Sequence, residues 1–166
     1  IDIVGNTKMV RNNSQGCVES AYEIMRNIFI TAVESRNGRV WSWDGDGGLA
    51  AFCFGNMNES AALCAIEILH ELFIFNHTSC PVDGGVKVRI AAHSGTFDYT
   101  DDNEETLNSD TVKVVSTIEH KHTKTNSITV SHAVKVLMEP LTAKQFLEFE
   151  SSDKRKYYEY SIRLSA

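Results

Sequence analysis

The chain has 166 residues, of which 42% are hydrophobic, and its net charge is −6. This length suits one well-buried domain, and the acidic balance argues against an extended nucleic-acid surface. No apolar run approaches membrane-spanning length, and the four cysteines show no C-x-x-C spacing. We therefore expect one cytoplasmic domain over residues 1–166, with reduced thiols, no nucleic-acid partner and no membrane segment. Cys53 and Cys64 fall in apolar elements and are expected to be buried.

The first predicted elements are the end of a strand and a helix. Asp2 ends an apolar segment that leads through Gly5 toward a helix, so we expect the strand to begin before residue 1. Ser14 is placed to cap a helix over residues 15–35, because the apolar residues there recur at spacings of three and four. Tyr22 belongs to this apolar stripe.

A β-hairpin and a second helix are predicted next. Two apolar runs, residues 40–43 and 49–54, flank a turn rich in Asp and Gly, which is a strong hairpin signal. Asp46 then lies at the tip, where glycines permit positive φ and the close approach of a ligand. Residues 58–75 carry an apolar face of helical period and predict the second helix.

The second half of the chain alternates strands and helices. Residues 86–93 alternate at first and then become continuously apolar, which is typical of a central strand, and His93 is expected to be a hydrogen-bonded core histidine. The further predicted elements are a return strand at 96–99, a helix at 110–121, a strand at 127–130, a helix capped by Ser131, and strands at 146–150 and 157–164. We predict an α+β fold with a ferredoxin-like βαββαβ core, an antiparallel-dominated sheet and helices on one face.

Several motifs resemble those of the class III nucleotide cyclases. Residues 2–7 look like the first metal motif of that family, and residues 45–52 look like the second, on the hairpin. Residues 88–95 resemble its central strand, which ends in His-x-Gly. Residues 110–112 resemble the entry to the dimer-arm helix, and 128–131 the strand after it. The matches span nearly the whole chain in the order of the family, which makes the set specific.

The resemblance implies that the protein cyclises a ribonucleoside triphosphate to a 3′,5′-cyclic monophosphate and releases pyrophosphate. Two divalent ions, Mn²⁺ or Mg²⁺, would activate the 3′-hydroxyl and clamp the leaving phosphates. By the same resemblance Asp2 and Asp46 would bridge both ions, and the Ile3 carbonyl would be a further oxygen ligand.

The resemblance also implies phosphate-binding residues and an oligomeric state. The backbone amides of Gly5, Asn6 and Thr7 would face the β- and γ-phosphates. Lys154, in the basic cluster 154–156, lies where the family supplies a phosphate-binding lysine. Since the site of this family forms between two chains, an antiparallel homodimer with two shared sites is expected.

The chain departs from the family at five informative positions. Asn6 replaces the usual aromatic residue of the phosphate loop. Ser42 and Thr106 occupy the two base-binding positions, so both the adenine-reading pair and the Glu and Cys of guanylate cyclases are missing. Lys113 and Thr117 replace the transition-state Asn and the Arg that follows it. Lys113 is our candidate for part of the lost stabilisation, although an ammonium does not copy a guanidinium.

Retained metal carboxylates with a changed base pocket resemble the pyrimidine cyclases of bacterial antiphage (Pycsar) defence. Those enzymes make cyclic UMP or cyclic CMP, which activates a separate effector. We therefore expect a pyrimidine triphosphate as substrate, UTP before CTP, with Trp41 and Trp43 narrowing the pocket and at least one of them packed in the core. Two alternatives stay open: an adenylate or guanylate cyclase with an atypical base pocket, and a catalytically degenerate cyclase-homology domain with a regulatory role.

Each of these residues also has a plainer interpretation. Asp46 is compatible with a polar hairpin tip, and Asp2 with a helix cap. Lys113 is compatible with a surface lysine of a helix, and Lys154 with a solvated strand end. The ordered set of motifs, rather than any single residue, favours the catalytic interpretation.

Overall fold

A computed structural model of the chain describes residues 1–97, 109–151 and 153–162. The strands within these ranges are β1 (Asp2–Ile3), β2 (Arg39–Asp44), β3 (Gly47–Ala51), β4 (Val88–Ala92), β5 (Ser127–Ser131), β6 (Leu147–Glu150) and β7 (Lys156–Ser161). The helices are α1 (Asn6–Asn12), α2 (Gln15–Glu34), α3 (Met57–Thr78), α4 (Asp110–His122), α5 (His132–Lys135) and α6 (Pro140–Ala143).

The seven strands form one sheet in the order β2-β3-β1-β4-β5-β7-β6. β1 lies between β3 and β4 and is antiparallel to both, which is the arrangement of a ferredoxin-like core. β4 and β5 pair in parallel, whereas the pairs β5–β7 and β6–β7 are antiparallel. The predicted fold class and the antiparallel-dominated sheet are confirmed.

The main hydrophobic core lies between this sheet and the pair α2 and α3. Val88 and Ile90 of β4, and Ile128 and Val130 of β5, are at most 5% exposed and belong to the same buried cluster as the apolar residues of the two helices. Burial of one such side chain contributes about 1.5–3 kcal/mol. The alternation of these residues with Arg89 sets which side of β4 faces away from the core.

The crossover helix α4 packs on the side of the sheet that carries Arg89. Glu119 of α4 pairs with Arg89, and Thr129 Oγ1 of β5 donates to the His122 carbonyl at 3.4 Å. The expectation of helices on one face therefore holds for α2 and α3 but not for α4. Because β4 and β5 are parallel, the chain must cross over between them, and here the crossover covers the other face.

Side chains cap the starts of α2 and α3, whereas Ser131, the predicted cap, precedes α5 without a capping hydrogen bond from its side chain. Ser14 caps α2 by accepting a hydrogen bond from the Cys17 amide at 3.4 Å, as predicted. Asn56 accepts from the Glu59 amide, so α3 begins slightly before the predicted start. α1 is a separate short helix that begins after Gly5, whose φ of 72° is the left-handed conformation that glycine adopts at little cost.

Several local expectations are corrected. β3 ends at Ala51, so Cys53 lies beyond the strand and is exposed, whereas Cys64 is buried as expected. Thr96 and Phe97 are not part of a strand, and the rest of the predicted return strand lies outside the described residues.

Two further observations concern the thiols and the helices. All four cysteines are free. Within the described ranges, none of the helices combines the length and the hydropathy needed to cross a bilayer.

Gly47 allows β1 and β3 to approach each other, and we predict that Gly47→Ala destabilises the protein. A Cβ at this position would lie 2.8 Å from the Ile1 carbonyl oxygen, a backbone atom that has little room to move. We expect a loss of about 1–3 kcal/mol in the free energy of unfolding, measured in urea by circular dichroism. Gly16→Ala is the matched control, because a Cβ in that part of α2 meets nothing within 4 Å. That control should be neutral or stabilising by up to about 1 kcal/mol, and equal effects of the two changes would contradict this account.

Candidate functional site

Asp2 and Asp46 are brought together by the pairing of β1 with the hairpin. Asp2 lies directly opposite Gly47, the residue that follows Asp46. The Ile3 amide donates to the Asp46 carbonyl at 3.0 Å, which holds the hairpin tip against β1. Asp2 Oδ1 lies 3.4 Å from the position that a Cβ of Gly47 would take, so this oxygen faces the tip. The two acidic residues are thus neighbours across adjacent strands.

Asp2 is held from the other side by Arg89 of β4. Arg89 Nη2 donates to Asp2 Oδ2 at 2.8 Å, and Arg89 Nε lies 2.6 Å from Glu119 Oε1. The three side chains are between 17% and 32% exposed, so solvent weakens this network only in part. Burial raises the pKa of Glu119, a shift that Arg89 opposes and Asp2 increases. Arg89 therefore links the two carboxylates.

Asp46 is held by a chain of two hydrogen bonds. Asn6 Nδ2 donates to Asp46 Oδ2 at 2.6 Å, and the Tyr22 hydroxyl donates to Asn6 Oδ1. Burial raises the pKa of Tyr22, and the charge of Asp46 raises it further, while the hydrogen bond to Asn6 opposes the shift. Tyr22 is therefore a neutral phenol, and hence a donor, at neutral pH.

Three members of these networks are not predicted by the sequence patterns. The apolar stripe of α2 accounts for the ring of Tyr22 but gives no role to its hydroxyl. Arg89 offered a signal, because it is the single charged residue within an otherwise apolar strand. Glu119 offered none, since acidic residues are common on exposed helix faces.

The donor atoms around β1 suit a hard divalent cation. Asp2 and Asp46 lie on neighbouring elements, and Asp2 shares the Arg89 guanidinium with Glu119. In the described part of the chain, no group of three or more His, Cys, Asp or Glu side chains is arranged to hold a metal by itself. Two carboxylates fit Mg²⁺ or Mn²⁺, because such ions keep waters and take further ligands from substrate phosphates.

The predicted phosphate-binding amides belong to the turn beside these carboxylates. The Gly5 carbonyl accepts from the Lys8 and Met9 amides at 3.0 Å, which starts α1. Asn6 and Thr7 are the first two residues of the helix, and no side chain of the described residues caps it. The contact of Asn6 with Asp46 places this turn next to the hairpin tip.

The two predicted lysines lie elsewhere in the chain. Lys154 is exposed in the turn between β6 and β7, at the opposite edge of the sheet from β2. Lys113 is exposed on α4. Among the described residues, no hydrogen bond or ion pair joins either lysine to Asp2 or Asp46. One chain therefore brings together the carboxylates and the turn, but not the lysines.

The base-binding candidates are only partly described. Ser42 pairs with Leu49 after a β-bulge in β2, and Thr106 lies outside the described residues. Trp43 packs on Phe29 with ring centroids 5.3 Å apart and against the core, so the expectation that at least one of the two tryptophans packs in the core is confirmed.

A cavity of about 540 Å³ is lined by residues of α2, α3 and α4 and of the strands β3 and β4. Trp41 lines it together with Phe97, whose ring it meets edge-on at 4.6 Å. None of the described residues that are predicted to bind metal, phosphate or base lines this cavity. Asp2 and Asp46 therefore lie outside it.

The fold is that of the catalytic domains of adenylate and guanylate cyclases. The guanylate cyclase domain of RhGC from Catenaria anguillulae, in complex with GTP, matches with a TM-score of 0.71 at 18% identity, over 96% of this chain and 90% of that chain. An adenylate/guanylate cyclase/hydrolase from Silicibacter pomeroyi matches with 0.74 at 18% identity, over 98% and 94%. A non-canonical dimeric guanylyl cyclase domain of the RhoGC fusion protein from Blastocladiella emersonii matches with 0.73 at 18% identity, over 96% and 91%. No protein-family profile and no curated protein matches the chain.

His93, at the end of β4, predicts a pH dependence of stability. Its Nδ1 lies 2.9 Å from Ser131 Oγ, and burial lowers its pKa below 6.5, with the charge of Arg155 adding to the shift. The unfolded chain then binds the proton more readily, so stability is full above about pH 6.5 and is lost as the pH falls through the lowered pKa. Urea titrations between pH 7.5 and 5 should show this loss, and His93→Gln should reduce it. A change at the exposed His77 is the control, and an unchanged slope in His93→Gln would refute the assignment.

Proposed function

We propose that this protein is a nucleotide cyclase that forms a 3′,5′-cyclic nucleotide and pyrophosphate from a ribonucleoside triphosphate. The observation that carries the proposal is the juxtaposition of Asp2 and Asp46 across β1 and the hairpin, each with one oxygen held by a donor. In a chain with the fold of cyclase catalytic domains, this pair occupies the end of the sheet at which a strand-to-helix turn also begins.

The residues of β1, of the hairpin tip and of the turn after β1 would bind the metal ions and the phosphates. Asp2, Asp46 and the Ile3 carbonyl would hold Mn²⁺ or Mg²⁺, two ions per site, which lower the pKa of the 3′-hydroxyl and neutralise the phosphates. The amides of Gly5, Asn6 and Thr7 would orient the β- and γ-phosphates.

A second copy of the chain would complete the site. Lys154 lies at the far edge of the sheet, so a phosphate bound near β1 is out of its reach within one chain. Lys113 is exposed on α4 and would likewise act across the interface, at the position of the missing transition-state Asn. An antiparallel homodimer gives two equivalent sites, each built from both chains.

The finer proposal is a pyrimidine substrate, UTP before CTP. It is supported by Ser42 and Thr106, which lack the side chains that read adenine or guanine in the family. Trp41 precedes Ser42 in β2, and its ring packs on Phe97. We expect this ring to narrow the base pocket. The cyclic nucleotide would act as a second messenger on a separate effector in the cytoplasm, as in antiphage defence.

Two observations favour alternative functions. The GTP complex of the Catenaria domain concerns a purine, so an adenylate or guanylate cyclase with an atypical pocket is the nearest alternative. Thr117 lies at the position of the missing Arg, and its hydroxyl donates to the Lys113 carbonyl at 2.8 Å. Because it offers no charge to a transition state, it would suit a catalytically degenerate regulatory domain.

We predict that the protein with Mn²⁺ converts UTP, and more weakly CTP, to the cyclic monophosphate. Each of the four ribonucleoside triphosphates is incubated separately, and products are identified by mass spectrometry. Asp46→Ala should lower turnover at least about 100-fold, since even a single lost transition-state hydrogen-bond donor costs that much. Asp44→Ala, an exposed carboxylate on the same hairpin, is the control and should keep its activity. Cyclic AMP or GMP would establish the purine alternative, and no product from a folded dimer would establish the regulatory one.

We further predict that two inactive variants restore activity when they are mixed. Asp46→Ala and Lys154→Ala would each damage every site of their own homodimer. A mixed dimer contains one intact site and one doubly damaged site, so an equimolar mixture should regain about a quarter of wild-type turnover. The measurement is turnover after the two variants are combined and allowed to exchange subunits. A mixture as inactive as its components would contradict the shared site.

A further inference from the structure

Asn6 connects the hairpin tip to α2 through its side-chain amide. The amide nitrogen contacts Asp46 Oδ2 at 2.6 Å, and the amide oxygen contacts the Tyr22 hydroxyl. Since a carboxylate only accepts hydrogen bonds, the nitrogen must face Asp46, and the oxygen is then left to accept from Tyr22. One orientation of the amide satisfies both partners, so the direction of the relay is fixed.

The far end of this relay is anchored in the core. Tyr22 packs against the core cluster, and its neighbours Ala21 and Met25 on α2 are fully buried. Such a helix turn moves little, because its position is set by close packing on the sheet. The near end is different, since Asp46 stands between Gly45, with a φ of 54°, and Gly47. The turn by itself leaves the direction of this carboxylate loosely determined.

We propose that Asn6, held by Tyr22, is a positioning residue for Asp46. It occupies Oδ2, so Oδ1 would be the oxygen that this carboxylate offers to a cation shared with Asp2. The inference rests on the proposed function and adds to it a residue that sets the orientation of one metal-binding carboxylate. Partners of this kind commonly change metal affinity by about 10–100-fold.

A purely structural role for Asn6 is less consistent with its contacts. The cap of α1 is Gly5, and among the described residues both hydrogen bonds of the Asn6 amide leave α1. The side chain thus contributes to the link between three separate segments rather than to its own helix.

The test is a double-mutant cycle with Mn²⁺ affinity as the readout. Mn²⁺ alone is titrated into the protein, and the free ion is followed by electron paramagnetic resonance. Asn6→Leu should weaken binding about tenfold or more, and Tyr22→Phe, which keeps the ring packing, should weaken it less. Because Tyr22 acts through Asn6, the double variant should match Asn6→Leu alone.

Tyr160→Phe is the matched control, because it removes a tyrosine hydroxyl that lies 2.7 Å from His70 Nε2, on a strand remote from β1. It should leave Mn²⁺ affinity unchanged. Wild-type affinity in Asn6→Leu would overturn the proposal, and so would an equal effect of Tyr22→Phe with and without Asn6. If Asn6→Leu does not fold, Tyr22→Phe with unchanged affinity overturns it.

The two proposals fail separately. If Mn²⁺ affinity depends on Asp46 and Asn6 but no cyclic nucleotide forms, the proposed function is refuted and the positioning role is kept. If the wild-type protein forms the cyclic nucleotide and Asn6→Leu binds Mn²⁺ as tightly as the wild type, only the positioning role is refuted.

Discussion

The pairing of β1 between β3 and β4 is the constraint on which the candidate site depends. Like charges a few ångströms apart near a protein surface repel by about 4 kcal/mol, so two carboxylates on adjacent strands need opposing charge or donors. Arg89 supplies that charge to Asp2, and Asn6 supplies a donor to Asp46. Gly47 provides the room, because a side chain there would collide with the backbone of β1.

The core holds this arrangement in place from one side of the sheet. α2 and α3 bury the apolar side of β4 and β5, which leaves Arg89 on the other side, where α4 supplies Glu119. The same packing fixes α2, and thereby the Tyr22 hydroxyl that reaches Asn6. Asp46 is therefore oriented through a helix that hydrophobic burial anchors, and Asp2 through an arginine of the central strand, rather than by the short strand β1 alone.

The topology also limits what one chain can do. The hairpin with Asp46 lies at one edge of the sheet and the turn with Lys154 at the other, and five strands separate β2 from β6. No rotamer change bridges that separation, so the proposed function requires a second copy of the chain if both residues are to act on one triphosphate. In the proposed function, the departures at residues 42, 113 and 117 would concern the half of the site that reads the base and stabilises the transition state.

The sequence by itself determined what depends on local pattern. The hairpin, the Ser14 cap and the position of the central strand follow from turn residues and periodicity, and the ordered motifs gave the fold and the candidate carboxylates. Tertiary structure alone decided the Arg89–Glu119 pair, the Tyr22–Asn6–Asp46 relay and the face that α4 covers. These contacts join residues far apart in the chain, and their geometry is set by how elements pack, which periodicity does not encode. Tertiary structure also decided the exposure of Cys53. β3 ends at Ala51, where its pairing with β2 ends, although the sequence stays apolar beyond that residue.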